Sequence, residues 1–232
     1  MNILAVESSG MVAAVALVRD GRLIGEYFLD HEKTHSQHLM PLVEQLLCGL
    51  DIKISDIDIF AASKGPGSFT GLRIGLATVK GLAQALDKPV IGVPTLDGLA
   101  YNLLSRQGLI CPIMNARREQ VYTSIYRSND SKLQRLDQYM AIPVIELVQK
   151  LKTFDEPVMF NGDGVPAYWN IIKNEMGDKA LMAPANVLTQ RASSIACLAL
   201  DLFKTEGAQK YTEVVPFYLR KSQAEQKFAK KG

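Results

Sequence analysis

Apolar and polar positions along the chain change period in a fixed order. Ile3-Leu4-Ala5-Val6 is a short apolar run that ends at the polar turn Glu7-Ser8-Ser9-Gly10, and Val12 to Val18 is a second run. Such stretches are too short for helices and predict strands. Arg19-Asp20-Gly21-Arg22 carries the Asp-Gly hairpin signal, and Leu23 to Leu29 returns as a third strand. After Ser36, a predicted cap, Leu39, Leu42, Val43, Leu46, Leu47 and Leu50 recur at three- and four-residue steps, one face of a helix. Ile57 to Ala62 is a fourth strand, and Leu72, Leu76, Val79, Ala83 and Leu86 mark a second helix. Pro89 to Val93 is a fifth strand, and Leu96 to Leu104 a third helix. The order β-β-β-α-β-α-β-α predicts an α/β lobe built on a mixed sheet.

From Leu109 the pattern restarts. Strands are expected at Leu109 to Met114, Val121 to Tyr126, Gln138 to Ile142 and Val158 to Asn161. Pro143 opens a helix to Leu151, a favoured place for proline, and further helices cover Tyr168 to Met176 and Ala192 to Phe203. The break at Arg106-Gln107-Gly108 divides the chain into an N-terminal lobe, 1–106, and a C-terminal lobe, 107–219, followed by a tail, 220–232.

Composition narrows the class. With 232 residues, 47% of them hydrophobic and 22% charged, the chain matches an ordinary globular protein. A chain of this length buries roughly 70% of its unfolded surface and needs no staple. No apolar run reaches a membrane span, and the start reads as a strand, not a signal peptide. Cys48, Cys111 and Cys197 are scattered in apolar surroundings, which predicts buried thiols of a cytoplasmic protein. The net charge of +2 is uneven: residues 220–232 hold five basic groups against one acidic, while the preceding 219 hold 21 against 23. A basic tail is either a phosphate-binding arm or a solvated end, and its aromatics do not interleave with its charges.

The densest cluster of turn-formers is Gly65-Pro66-Gly67, between the fourth strand and the second helix. Ser68 or Thr70 can cap that helix. A glycine-rich loop at a helix start can cradle phosphate, but this one lacks the Gly-Lys-Ser/Thr ending of a P-loop. The plainer reading is a tight turn with a close helix contact. Gly71 and Gly75 share one helix face and leave a track without side chains, on which another backbone can pack. His31, His35 and His38 are the three histidines; they straddle a loop-to-helix boundary and read as surface or capping residues rather than metal ligands.

Three stretches carry a likeness to a known family: Ile3 to Ser9, His35-Ser36-Gln37-His38-Leu39-Met40-Pro41, and Lys64 through Gly75. Gly92 to Asp97 and Pro216-Phe217-Tyr218-Leu219-Arg220 fit it as well. The chain resembles the bacterial TsaB family, also called YeaZ, along its whole length and most specifically at the glycine-proline-glycine loop. The resemblance implies a two-lobed fold of the actin/Hsp70/sugar-kinase (ASKHA) type, each lobe a mixed sheet with helices. It implies a non-catalytic scaffold or dimerisation subunit in making N6-threonylcarbamoyladenosine at position 37 of tRNAs that read ANN codons. The implied partners are the catalytic TsaD, the ATPase TsaE and, through the complex, tRNA. TsaC supplies the threonylcarbamoyl-adenylate. A homodimer is implied when TsaD is absent, and ATP and metal belong to the partners rather than to this chain.

By the same resemblance, the metal-binding histidines of the catalytic relative fall on Thr95 and Leu99, which are poor ligands. The two phosphate turns of the fold fall on Glu7-Ser8-Ser9-Gly10 and on Asn115, where kinases place an Asp in each. Gly162-Asp163-Gly164 is either a plain turn or the edge of an adenosine pocket. The expected partner face comprises Leu39, Leu42, Val43 and Leu46 with Gly71, Leu72, Gly75, Leu76 and Val79. The alternatives are an autonomous small-molecule kinase and a metal-dependent glycoprotease. The uncharged Asn115 counts against the first, and the missing histidine pair against the second.

Overall fold

The computed structural model describes residues 1–30, 35–129 and 132–220, with side chains from residue 38 onward in the first helix. The first half forms β1 (Asn2–Glu7), β2 (Val12–Arg19), β3 (Arg22–Asp30), α1 (His35–Gly49), β4 (Ile59–Gly65), α2 (Phe69–Leu86), β5 (Val90–Pro94) and α3 (Thr95–Tyr101). The sheet order is β3-β2-β1-β4-β5. β1 to β3 are antiparallel neighbours, while β1, β4 and β5 run parallel. The second half adds β6 (Gly108–Asn115), β7 (Gln120–Thr123), β8 (Tyr126–Asn129), β9 (Lys132–Arg135), β10 (Met140–Pro143), α4 (Val144–Lys152), β11 (Val158–Asn161), α5 (Gly164–Met176), β12 (Ala180–Met182), α6 (Ala185–Leu188) and α7 (Ala192–Glu206). Its order is β10-β7-β6-β11-β12, with β8 and β9 continuing beside β6. Taken in the order of their strands, the two sheets share one arrangement, third-second-first-fourth-fifth. This is the ASKHA architecture.

β1 is buried on both faces, as parallel strands require. Leu4 and Val6 pack with α1 and α2, and Ile3 and Ala5 pack with Ile195, Ala196 and Ala199 of α7. The last helix of the chain therefore covers the first sheet. Reciprocally, Leu96, Leu99 and Ala100 of α3 pack on Ile110, Met114 and Met159 of the second sheet. Val214 joins the first core, and Gln209 bridges to Val90. The expected division into 1–106 and 107–219 is thereby corrected: each lobe borrows its covering helix from the other half. A sheet face left apolar can be closed by any helix within reach, so contiguity in sequence does not decide it.

The expected partner face is also corrected. Leu39, Leu42, Val43 and Leu46 of α1, and Leu72, Leu76 and Val79 of α2, are each at most 5% exposed and form the core of their own lobe. Gly71 and Gly75 are buried too, and a Cβ at Gly75 would lie 2.2 Å from Ser8 Oγ. The Ser8 hydroxyl fills that space and donates to Gly71 O at 2.9 Å. Apolar periodicity identifies the buried face of a helix, not what buries it.

The strand expected at 121–126 is split into β7 and β8, and β9, β12 and α6 are elements the pattern did not predict. Cys111 is buried as expected, its thiol pushed up to about 12 by burial. Cys197 is half-buried and Cys48 exposed, so the expectation of three buried thiols holds for one. The side chains of His31 and His35, and the tail beyond Arg220, lie outside the described residues.

Candidate functional site: interlobe turns and the strapped loop

β1 ends in the first turn, and its Glu7 is 1% exposed. The Glu7 carboxylate accepts from Ser9 N at 2.6 Å and Ser63 Oγ at 3.1 Å. Burial pushes its pKa up, partly offset by the bonds from Ser9, Ser63 and Ser8. The Ser8 hydroxyl is committed to Gly71 O. Gly10 faces the buried Gln190: a Cβ there would meet Gln190 Nε2 at 2.7 Å. Both bonds reach Oε1, so this oxygen of the carboxylate anchors the turn to β4.

The glycine-proline-glycine loop lies directly against this turn. Ser68 N donates to Ser9 O at 2.7 Å, and a Cβ on Gly67 would come within 2.4 Å of that same oxygen. Ser68, not Thr70, caps α2, its hydroxyl accepting from Gly71 N at 3.3 Å. Thr70 is exposed. The loop's other side is closed by residues 214–220, which cross it as a strap. Phe217 N donates to Lys64 O at 2.6 Å, and a Cβ on Gly65 would come 2.1 Å from Phe217 O. The loop binds protein backbone on both sides, which explains its glycines.

At the second turn, Asn115 is exposed, and its Oδ1 accepts from Arg117 N at 2.9 Å and Tyr168 Oη at 3.2 Å. Asn115 N donates to Asp163 Oδ1 at 3.3 Å. Gly162 and Gly164 let this turn approach β6, where added Cβ atoms would come 2.2 and 2.9 Å from Ile113 O. Thr95 and Leu99 are each 1% exposed, and Leu99 O accepts from Asn161 Nδ2 at 2.6 Å. These positions are interior packing.

Asp163 titrates high, at about 6 against an ordinary 3.8, because burial outweighs the hydrogen bonds that pull it down. The sign follows: between pH 4 and 6 the folded carboxyl holds a proton that the unfolded one has lost. That contribution to stability is fully present below about pH 4 and is lost as pH rises through 6. A shift of this size is about 3 kcal/mol at full burial, and Asp163 keeps a partly exposed edge, so about 1–2 kcal/mol is expected. Asp163→Asn should therefore melt higher than the wild type at pH 8 and level with it at pH 4. Melting curves at the two pH values decide it; an equal shift at both would remove the titration as its cause.

Sequence reasoning missed the strap's partners. Phe69 and Arg73 are four apart on α2, a readable pair, but Tyr139 and Arg135 reach the same place only through folding.

The family model for TsaD, tRNA N6-adenosine threonylcarbamoyltransferase, matches residues 29–228. The tRNA threonylcarbamoyladenosine biosynthesis protein TsaB of Bacillus subtilis is 36% identical and covers 98% of both chains. That of Escherichia coli is 28% identical over 97% of this chain and 96% of its own. A solved structure from Pseudomonas aeruginosa, described as an uncharacterized protein with similarity to peptidase YEAZ, superposes with a TM-score of 0.79 at 26% identity. It covers 94% of this chain and 99% of that one.

Proposed function

The chain belongs to the TsaB (YeaZ) branch of the TsaD family, and we propose that it serves tRNA threonylcarbamoyladenosine biosynthesis as a non-catalytic subunit. Its partner is a TsaD-like catalytic chain, joined by a TsaE-like ATPase, in the cytoplasm. The observation that carries this reading is the first turn. Glu7 is buried and its Oε1 is held by Ser9 and Ser63, so one oxygen of the carboxylate that stands where a kinase of this fold would hold its metal is tied into the lobe. ATP and metal are then the partners' cofactors. Among the described residues no helix is long and apolar enough to cross a membrane.

With the expected face of α1 and α2 consumed in the core, docking falls to the outer face of α2. Ala77, Gly81 and Ala85 recur there at four-residue steps and are exposed. A Cβ on Gly81 would meet nothing within 4 Å. Small side chains let a second helix approach closely. When the TsaD-like partner is absent, the same face would pair two copies of this chain.

The first test is tRNA modification by the TsaD-like subunit with and without this chain, beside nucleotide turnover by the chain alone. Robust threonylcarbamoyl transfer or turnover by the isolated chain would overturn the reading. The second is Gly81→Arg. The open space predicts an unchanged or slightly higher melting temperature, since glycine costs a helix about 1 kcal/mol. Crowding the docking face should cost about 1–3 kcal/mol, roughly 5- to 150-fold in partner affinity. Wild-type affinity in a titration would move the interface elsewhere.

A further inference from the structure

The strap does more than close the loop. It brings together a surface that neither lobe has alone. Phe69, in the first turn of α2, stacks on Tyr218 with centroids 4.7 Å apart and planes at 27°. The Arg73 guanidinium lies 3.8 Å over the Phe69 ring, and its Nε donates to Tyr218 Oη at 3.2 Å. Phe217 meets Tyr139 of the second lobe at 5.5 Å, and Arg135 lies 4.2 Å over Tyr139. Arg220 donates from Nη1 to Ala116 O at 3.1 Å, beside the exposed Arg117 and Arg118.

The charge of this surface is largely uncompensated. Arg135 has Asp97 at 3.7 Å, and Glu119 shares a turn with Arg117 and Arg118. Among the described residues no carboxylate pairs with Arg73 or Arg220.

A guanidinium held flat on a ring keeps its N–H edge for phosphate and offers a plane for stacking. Two such pairs, flanked by further arginines, match what an unpaired nucleotide run presents: flat bases along a charged backbone. An acidic peptide would match the charge but not the planes. We propose that the strap surface, centred on Phe69, Arg73, Tyr139 and Tyr218, binds single-stranded RNA, a loop of the tRNA on which the family's biosynthesis acts. The assignment rests on the subunit role proposed above and adds the surface by which this chain contacts RNA.

The test uses the full chain and a tRNA anticodon stem-loop carrying 5-bromouridine in its loop. Irradiation should cross-link peptides containing Phe69, Tyr139 or the strap. Arg73→Gln with Arg135→Gln should lower affinity for the stem-loop about five- to tenfold. It should also reduce the salt slope by about 1.4, as for two lost contacts to a single strand. Its circular dichroism should not change, and its melting temperature should fall by no more than a few degrees, as two ring contacts and one hydrogen bond are lost. Cross-links confined to other surfaces, an unchanged affinity and slope, or equal competition by polyglutamate would each overturn the proposal. Intact stimulation of modification without a strap cross-link removes this surface and leaves the subunit role standing. A strap cross-link from a chain without effect on modification supports the surface and removes that role.

Discussion

Gly75→Leu should melt well below the wild type. The space a side chain needs is held by Ser8, whose Oγ lies 2.2 Å and Cβ 3.5 Å from where the new Cβ would sit, with Val6 at 3.7 Å. Overpacking a closed core costs about 1–3 kcal/mol. Displacing the Ser8 hydroxyl from Gly71 O leaves a buried group unpaired, about 1–3 kcal/mol more. The sum, about 2–6 kcal/mol, is a large part of the 5–15 kcal/mol that holds a protein folded. At 2–4 °C per kcal/mol it lowers the melting temperature by about 4–24 °C. A smaller change gives the sharper test. Gly75→Ala should destabilise the wild type, yet stabilise a Ser8→Ala background, where the obstructing oxygen is gone and alanine's helix preference of about 1 kcal/mol is free to act. Thermal melts of the four proteins in this cycle check it; additive effects would show that Ser8 and Gly75 do not share the space.

Gly65→Ala should release the strap. Gly65 has φ +118°, a conformation L side chains rarely adopt, and its Cβ would lie 2.1 Å from the carbonyl oxygen of Phe217. That obstacle is backbone and cannot rotate aside. Holding the strained φ costs about 1–3 kcal/mol, and moving the strap breaks the Phe217 N to Lys64 O bond at 2.6 Å. With it go the Tyr218–Phe69 stack and the Arg220–Ala116 bond. The expected readout is a loss of about 2–4 kcal/mol together with rapid chymotrypsin cleavage at Phe217 and Tyr218, which the wild type should resist. An unchanged melting temperature and digestion pattern would mean that the strap is not seated on Gly65.

The two substitutions differ in where the evidence for them lies. Three turn-formers in a row announce a sharp chain reversal at 65–67, and that much is legible without a structure. What the reversal accommodates is not: Ser9 O on one side and Phe217 O on the other come from residues 58 and 150 or so positions away along the chain. Gly71 and Gly75 likewise read as a track for another backbone or chain. The occupant is Ser8, a small polar side chain whose neighbours in sequence say nothing of α2.

The amino-acid sequence by itself determined most elements of both lobes, their mixed α/β character and the family. Strand and helix periods are local consequences of which positions must leave water, and Leu39 to Leu50 or Leu72 to Leu86 carry that signal within one window. The loop Gly65-Pro66-Gly67 and the turn Glu7-Ser8-Ser9-Gly10 are readable for the same reason. Only the tertiary structure decided that the faces of α1 and α2 are consumed in the core, that α3 and α7 are exchanged between sheets, and that the strap joins Phe69 to Tyr218 and Phe217 to Tyr139. Hydrophobic burial is non-directional. It states that a face must be covered, and leaves the choice of cover to chain reach and shape, which no single stretch of sequence contains.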